Sequence, residues 1–340
     1  MATAAPPSID LCTVFSESKR IINAHTRHFL ALSVFFLLPL SFSFTVYPTL
    51  QNLLAPSSTL NSKILLSTSF LLDQDPSNFV TLKTLVLSLL FSLFVFVFGL
   101  LAAGSITYSV LHGFYGRPVK LVASIRSALV SFFPLIITTI LAQIIVLAIF
   151  VATGFLLFVV VMGIQLLGFQ VELFSPYFIV FSVIVSIVLI LVLVYLQVNW
   201  FLFGVIVVVE SSWGLQPLKR SSFLIKGMRG LALALSLFFG FLVGVLLFIS
   251  SVSGITLGIG TNGGWKSCAF VVQIVVTSTL LMLLLLYYSA ANTILYMYCK
   301  AVHGELAWEI AEEFAREYIS LPFDDGKVPH LVSVAYTLQN

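Results

Sequence analysis

The polar stretch from Glu210 to Gly230 reads ESSWGLQPLKRSSFLIKGMRG and interrupts a long apolar part of the chain. The apolar runs on its two sides are each long enough to cross a bilayer. Pro217 suits the first turn of a helix, and Gly227 and Gly230 suit a helix end. The pattern predicts a short basic helix at the membrane surface between two spanning helices. A solvated connecting loop is the alternative, because the stretch covers barely two helical turns.

The composition defines the class of protein. Hydrophobic residues make up 60% of the 340 residues and charged residues only 9%, whereas an ordinary globular domain carries about 25% charged residues. Several uncharged apolar stretches exceed the ~18 residues that mark a candidate spanning helix. The sequence therefore predicts an all-α, polytopic helical membrane bundle, with short interfacial helices on its inner side.

Six transmembrane helices account for the apolar stretches. Between residues 127 and 209 the only charge is Glu172, and four minimal spans of about 20 residues each would leave no turns there. Two long helices that meet near residues 168–176 fit better, with a re-entrant segment as the alternative. The predicted domains are a cytoplasmic N-terminal segment 1–28 with an amphipathic surface helix at about 10–24, a transmembrane domain 29–298, and an acidic C-terminal tail 299–340. The predicted spans are about 29–47, 84–104, the two helices within 127–209, 231–253 and 269–298.

The basic residues are distributed unevenly between the two sides of the predicted bundle. Of the 16 lysines and arginines, all but Lys63, Lys83 and Lys266 fall on the side that carries both termini. Lysine and arginine mark the cytoplasmic side of membrane proteins. Both termini are therefore predicted to be cytoplasmic, in either the endomembrane system or the plasma membrane.

The even-numbered spans lead into similar connectors, which indicates a three-fold repeat of helix pairs. The second span leads into Tyr115-Gly-Arg-Pro-Val-Lys120, the fourth into Trp213-Gly-Leu-Gln-Pro-Leu-Lys219, and the sixth into His303-Gly-Glu-Leu-Ala-Trp308. Such a repeat would place three elbows on the inner side of the bundle. Chance matching among loops that contain glycine and proline is the alternative.

The polar stretch also carries a family resemblance. The pattern Leu218-Lys-Arg-Ser-x-x-Leu-x-Lys-Gly227, preceded by Glu210 and Gly214, resembles a recurrent loop in a plant family of uncharacterised six-span membrane proteins. The likeness covers most of the chain, including Arg27-His28-Phe29. More distantly, the loop is similar to the membrane domain of bacterial glycerophosphodiester phosphodiesterases and to related inner-membrane families, which have Ala-Leu in place of Pro217-Leu218. The resemblance implies a helical membrane domain; the sequence lacks the phosphodiesterase catalytic domain, so that activity is not implied.

No arrangement of residues in the sequence is typical of a catalytic, cofactor-binding or metal site. The five histidines lack metal-ligand spacing, and the three cysteines show no paired spacing. The sequence contains no Gly-x-Ser-x-Gly elbow, no phosphate-binding loop and no dinucleotide fingerprint. Glu305, Glu309, Glu312 and Glu313 are expected to form a solvated helix face, with a ligand cluster that includes His303 as the alternative. No catalytic, cofactor or metal residue is assigned.

Small and polar residues within the spans predict helix packing. Gly240-x-x-x-Gly244 predicts a packing face. Amide side chains in a bilayer need partners, so hydrogen bonding between helices is the favoured role for most of them. The amides predicted to be buried within the spans are Gln143, Gln165, Gln197, Asn199, Gln273 and Asn292.

Two of these amides belong to matched pairs, Tyr195/Asn199 and Tyr288/Asn292, each on one helical face. Their hydroxyl and amide groups suit an ester or phosphate headgroup, so a polar-headed pocket between the fourth and sixth spans is the alternative to packing. The cations of the polar stretch would attract an anionic leaflet by about 1 kcal/mol each, with ordinary topology-setting charge as the alternative. The candidate headgroup contacts are Lys219, Arg220, Lys226, Arg229, Tyr195, Asn199, Tyr288 and Asn292.

The predicted function is that of a non-enzymatic membrane scaffold or trafficking partner, which works through its inner loops and acidic tail. A transporter or lipid-handling protein with a pocket in the bundle is the alternative. Ion-coupled transport is disfavoured because the spans lack the charged residues that its relays use. The predicted partners are the lipid bilayer, anionic lipids at the inner loops and a protein that binds the C-terminal tail, but not a nucleic acid. Ser221 and Ser222 follow Arg220, so their phosphorylation is predicted to weaken the lipid contact.

Overall fold

The computed structural model describes residues 10–54, 76–117, 119–166, 176–259 and 268–319. These residues form helices joined by turns, with no β-strand among them, which confirms the predicted all-α class. The helices are α1 Leu11–Ala24, α2 Thr26–Leu32, α3 Leu38–Leu54, α4 Pro76–Phe114, α5 Leu121–Leu166, α6 Pro176–Asn199, α7 Phe203–Glu210, α8 Leu215–Leu224, α9 Arg229–Ile259, α10 Cys268–Val302 and α11 Glu305–Ile319. A π-helical turn, Ser33–Leu37, joins α2 to α3.

Six helical stretches within the described ranges are long and apolar enough to cross a bilayer. The six predicted spans are therefore confirmed, and the chain is an integral, multi-pass membrane protein. Two long stretches occupy residues 127–209, as predicted, and residues 167–175 between them lie outside the described residues. The spans are Thr26–Pro48, Thr84–Phe114, Leu121–Leu166, Phe178–Glu210, Arg229–Val252 and Phe270–Val302.

Helix α5 is longer than a bilayer requires. Its 46 residues extend about 69 Å at about 1.5 Å per residue, more than twice the hydrocarbon thickness of about 30 Å. In the second half of α5, Ile144, Leu147 and Val151 are more than half exposed, as expected for a helix surrounded by lipid. The helix must therefore tilt strongly or extend past the hydrocarbon region.

The N-terminal helix, the three elbows and α11 lie at one end of the bundle. His28 Nε2 lies 3.0 Å from Ser109 Oγ, which lies 2.9 Å from Ser124 Oγ, so the first span meets the end of α4 and the start of α5. A 3.6 Å contact between Cys299 Sγ and Met228 Sδ joins the end of α10 to the start of α9. We call this end the basic end, because the elements that carry most of the lysines and arginines converge there.

Helix α1 is amphipathic, as predicted, but its apolar face packs against the bundle and is not left for lipid. Val14, Ile21 and Ile22 are buried in the main hydrophobic cluster. A Cβ added to Gly113 of α4 would lie 2.9 Å from Ile21 Cγ2, so only glycine lets α1 approach α4 this closely. The N-terminal helix is thereby part of the basic end.

The glycines of the three elbows share a positive φ angle. Gly116, Gly214 and Gly304 have φ angles of +69°, +77° and +75°, in the region that strains residues with a side chain. These are the glycines at matching positions of the predicted repeat. The shared positive φ agrees with the predicted repeat, although Gly227, which lies outside the repeat, has a positive φ as well.

The prediction that Gly240 and Gly244 form a packing face is wrong within the described part of the chain. Both are exposed, and no atom lies within 4 Å of a Cβ built on either residue. Close packing occurs instead at Gly104 of α4, where an added Cβ would lie 3.0 Å from Ala128 Cα of α5. A glycine motif on one helix does not specify which neighbour lies against it.

Cysteine labelling tests which side of the membrane the basic end faces. Cys12 on α1 and Cys268 at the start of α10 are exposed, whereas Cys299 is buried. With a cytoplasmic basic end, an impermeant maleimide added to sealed cells labels single-cysteine Cys268 protein and leaves Cys12 unlabelled until the membrane is permeabilised. Cys299 stays unlabelled throughout and serves as the control. Labelling of Cys12 in sealed cells would reverse the orientation.

Candidate functional site at the basic end

The fourth span is broken at residues 200–202, between α6 and α7. A break within a bilayer frees backbone groups that must find partners in the protein. Ser221 of α8, which is fully buried, supplies two of these partners. Its hydroxyl donates to the carbonyl of Asn199 over 2.7 Å and accepts the N–H of Leu202 over 3.2 Å. One side chain of the polar stretch therefore bridges the two halves of the span.

Asn292 of α10 supplies a further hydrogen bond to the backbone at the break. Its Nδ2 donates to the carbonyl of Phe201 over 3.3 Å, while Nδ2 of Asn199 donates to the carbonyl of Tyr195 in its own helix over 2.9 Å. The Oδ1 atoms of Asn199 and Asn292 are buried without a hydrogen-bond partner among the described residues. Both amides thus use their donors on backbone and leave one acceptor unused.

The two tyrosines of the matched pairs are not brought together. Tyr288 is enclosed by the edges of Phe201 and Phe239, with ring centroids 6.1 and 5.4 Å away. Tyr195 is 57% exposed, and the guanidinium carbon of Arg229 lies 5.7 Å from its ring centre. Of the four residues in the two pairs, Asn199 and Asn292 converge on the break, whereas Tyr195 faces outward beside Arg229.

An ionic network joins the polar stretch to α7, α10 and α11. Arg220 pairs with Glu210 at 3.4 Å and with Glu305 of α11. Burial opposes the charged form of Arg220, but the hydrogen bond to Glu305 and the charge of Glu210 outweigh it and raise the Arg220 pKa above its ordinary value. The hydroxyl of Tyr296 donates to Oε1 of Glu210 over 2.9 Å, and Lys300 pairs with Glu309.

This network corrects two expectations from the sequence. Glu305 and Glu309 were expected on a solvated acidic face, but both pair with cations of the bundle. Ser221 was expected to accept a phosphate together with Ser222, but Ser221 is fully buried and doubly hydrogen-bonded. Among the described residues, no group of three or more histidines, cysteines or acids could hold a metal ion.

The other three cations of the polar stretch are exposed. Lys219, Lys226 and Arg229 have no carboxylate within ion-pair distance among the described residues. Lys226 Nζ lies 5.7 Å from the centre of the Phe223 ring, as Arg229 does from Tyr195. Only Arg220 of the four predicted cations is neutralised. The stretch therefore divides into a buried bridging part and an exposed cationic part.

Sequence reasoning missed Ser221, Tyr296 and Lys300 as members of the site. Tyr296 and Lys300 continue the four-residue spacing of Tyr288 and Asn292 along one face of α10, and that spacing was a usable signal. Ser221 gave no such signal, because its partners are backbone atoms of a helix break that the apolar sequence conceals. The short basic helix itself is confirmed as α8, with Pro217 in its first turn.

Gly227 ends the short helix with a φ of +94°, as predicted, but the prediction for Gly230 is wrong. Gly230 lies in the first turn of α9, which begins at Arg229. The turn between α8 and α9 covers residues 225–228, and α9 begins two residues before the predicted start of the fifth span. Arg229 consequently belongs to the start of a spanning helix and not to a loop.

Residues 7–321 match the model of a family described as a domain of unknown function, DUF8558. None of the curated proteins matches the chain. No solved structure matches it either.

Replacing Ser221 tests the bridge across the break. Ser221→Ala leaves a buried carbonyl and a buried N–H without their partner, which costs about 1–3 kcal/mol for such a group. Ser222→Ala is the matched control, because Ser222 is partly exposed and bonds only to the Lys219 carbonyl of its own helix. We expect thermal unfolding in detergent, followed by tryptophan fluorescence, to show a lower midpoint for Ser221→Ala alone. Equal midpoints for the two variants would contradict the bridging role.

Proposed function

Because the chain belongs to the DUF8558 family, whose function is unknown, we propose its role from the geometry of the basic end. The protein is a non-enzymatic membrane scaffold or trafficking partner. Helix α11, with the tail that follows it, binds a partner protein, and the exposed cations of the polar stretch face an anionic leaflet. The proposal retains the resemblance of the polar stretch to a plant family of membrane proteins. It also places both termini in the cytoplasm and the protein in an endomembrane or the plasma membrane.

The anchoring of α11 is the observation that carries the proposal. Arg220 pairs with Glu305 at the start of α11, and Lys300 pairs with Glu309 one turn later. Leu306 packs against the main hydrophobic cluster, while Trp308 on the other side is 76% exposed. A helix held in place with a large aromatic residue outward is a pre-organised binding surface, and tryptophan is enriched among residues that dominate interfaces.

The charge around Trp308 favours a protein over lipid as the partner of α11. Glu309, which remains about half exposed in its pair with Lys300, and Glu312 lie at the surface of this helix, and acidic side chains are repelled by an anionic leaflet. A basic surface on a partner protein would complement these acidic side chains. The exposed cations Lys219, Lys226 and Arg229 have the opposite preference. Two surfaces of opposite charge at one end give the scaffold a membrane side and a partner side.

Photocrosslinking from position 308 tests the scaffold. Trp308 is replaced by benzoylphenylalanine, and Phe241, which is exposed on spanning helix α9, is replaced in a matched control. On irradiation of cells, we expect discrete protein adducts from position 308 on a denaturing gel, and lipid adducts alone from position 241. The scaffold proposal fails if position 308 gives the same adducts as position 241.

A transporter or lipid-handling role is the second candidate, and the break in the fourth span favours it. Broken spans with irregular backbone near polar side chains form substrate sites in many transporters. The unused Oδ1 atoms of Asn199 and Asn292 are buried close to this break. Their donors, however, bond to protein backbone, and Phe201 lies against Tyr288. This geometry favours a packing role for the two amides.

The variants Asn199→Leu and Asn292→Leu, made singly and together, separate packing from lipid handling. For packing, Asn292→Leu lowers the midpoint of thermal unfolding, because the Phe201 carbonyl loses a partner from another helix, a bond of about 0.6 to 1.7 kcal/mol. Native mass spectra then show the same bound lipids as the unaltered protein. Thr279→Val, which removes an exposed hydroxyl bonded within its own helix, is the control. An unchanged midpoint with loss of a copurifying lipid would favour the second candidate.

A further inference from the structure

We propose that Tyr195, Lys226 and Arg229 form a binding site for the phosphate of one anionic phospholipid, where α6 and α9 meet at the basic end. This inference deepens the proposed contact with an anionic leaflet and rests on it. It concerns a different surface from α11, so the two proposals can fail separately.

Arg229 and Tyr195 define the centre of the site. Arg229 is the first residue of α9, and its guanidinium carbon lies 5.7 Å from the centre of the Tyr195 ring on α6. This contact holds the guanidinium beside α6, while Arg229 remains exposed and has no carboxylate within ion-pair distance among the described residues. Arginine binds phosphate oxygens through two parallel hydrogen bonds. The Tyr195 hydroxyl, on a side chain that is mostly exposed, adds a further donor.

Lys226 adds the second positive charge. It precedes Arg229 by three residues, is exposed, and has its ammonium 5.7 Å from the Phe223 ring centre. Neither Lys226 nor Arg229 has a carboxylate within ion-pair distance among the described residues. In the same segment, Arg220 is paired with two carboxylates. Arg229, through its contact with Tyr195, therefore places unpaired positive charge beside α6, and Lys226 adds a second unpaired cation three residues earlier in the chain.

The surface below these cations is apolar, which identifies the ligand as a lipid and not a soluble phosphate. Leu191 lies one helical turn farther from the basic end than Tyr195 on α6, and it is exposed. Leu237 lies two helical turns farther from the basic end than Arg229 on α9, and it is also exposed. A phosphate bound by Arg229 and Tyr195 therefore has exposed apolar side chains of both helices farther along the span. An anionic phospholipid satisfies both parts of this surface at once.

Native mass spectrometry of the full chain, purified in a mild detergent, tests the site with phosphatidylglycerol and phosphatidylcholine as probes. The test variant is Lys226→Gln with Arg229→Gln, and the matched control is Lys19→Gln with Lys120→Gln, which removes two exposed cations elsewhere at the basic end. Each cation near anionic lipid strengthens binding by about fivefold. We expect the test variant to bind phosphatidylglycerol about thirtyfold more weakly and the control to bind it within about twofold of the unaltered protein.

Tyr195→Leu provides a variant that preserves charge. We expect it to weaken phosphatidylglycerol binding by about tenfold or more without changing the weak binding of phosphatidylcholine, since one hydrogen bond to a charged phosphate is lost. Glycerophosphoglycerol, the same headgroup without acyl chains, should not displace the bound lipid at equal concentration. Crosslinking from position 308 should be unchanged in all these variants, which separates this test from that of the scaffold.

Three results would overturn the site. Equal losses in the test and control pairs would indicate diffuse attraction to the whole basic end. Unchanged phosphatidylglycerol binding in the test pair would exclude Lys226 and Arg229. Displacement by glycerophosphoglycerol at equal concentration would show that the acyl chains are not recognised, and the ligand would then be a soluble phosphate.

Discussion

The hydroxyl of Ser221, between the carbonyl of Asn199 and the N–H of Leu202, is the interaction on which the basic end depends. Within a bilayer, a broken helix is tolerated only where protein replaces the lost backbone hydrogen bonds. Ser221 does so from a short helix outside the span, and that helix is thereby fixed against α6 and α7. The orientation of the polar stretch follows from the need to satisfy this break.

The position of Ser221 determines what its neighbours do. Arg220 precedes it and reaches Glu210 and Glu305, so α8 connects the fourth span to α11. Lys219 and Lys226, in contrast, are exposed. Within this short segment, the paired charge of Arg220 stabilises the structure, whereas the charges of Lys219 and Lys226 are exposed. Neutralised charges in a partly buried place stabilise an arrangement, while exposed, unpaired cations remain available to an anionic partner.

Glycines with a positive φ recur in the three connectors that follow the even-numbered spans. Gly116, Gly214 and Gly304 adopt positive φ angles after the second, fourth and sixth spans. In each case a new helix begins within a few residues. Reversal over so short a distance needs a backbone conformation that other residues adopt only with strain. Each even-numbered span is therefore followed by a helix that stays at the basic end or starts from it.

The sequence alone determined the helical class, the six spans, the basic end and the short helix after the fourth span. These features depend on length, hydropathy and local conformation, which a chain carries without reference to its neighbours. The glycine elbows belong to the same group, since their φ angles are a local property. The sequence also placed Asn199 and Asn292 among the important amides, because polar groups in lipid require partners.

Only the tertiary structure decided which partners those were. Tyr195 and Tyr288 occupy matching positions before their asparagines, yet one is exposed beside Arg229 and the other is enclosed by Phe201 and Phe239. Helical spacing gives the face on which a residue lies, but not the helix that covers that face. For the same reason Gly240 and Gly244 remain exposed, and Ser221, an ordinary serine in a basic segment, becomes the residue that closes a broken span.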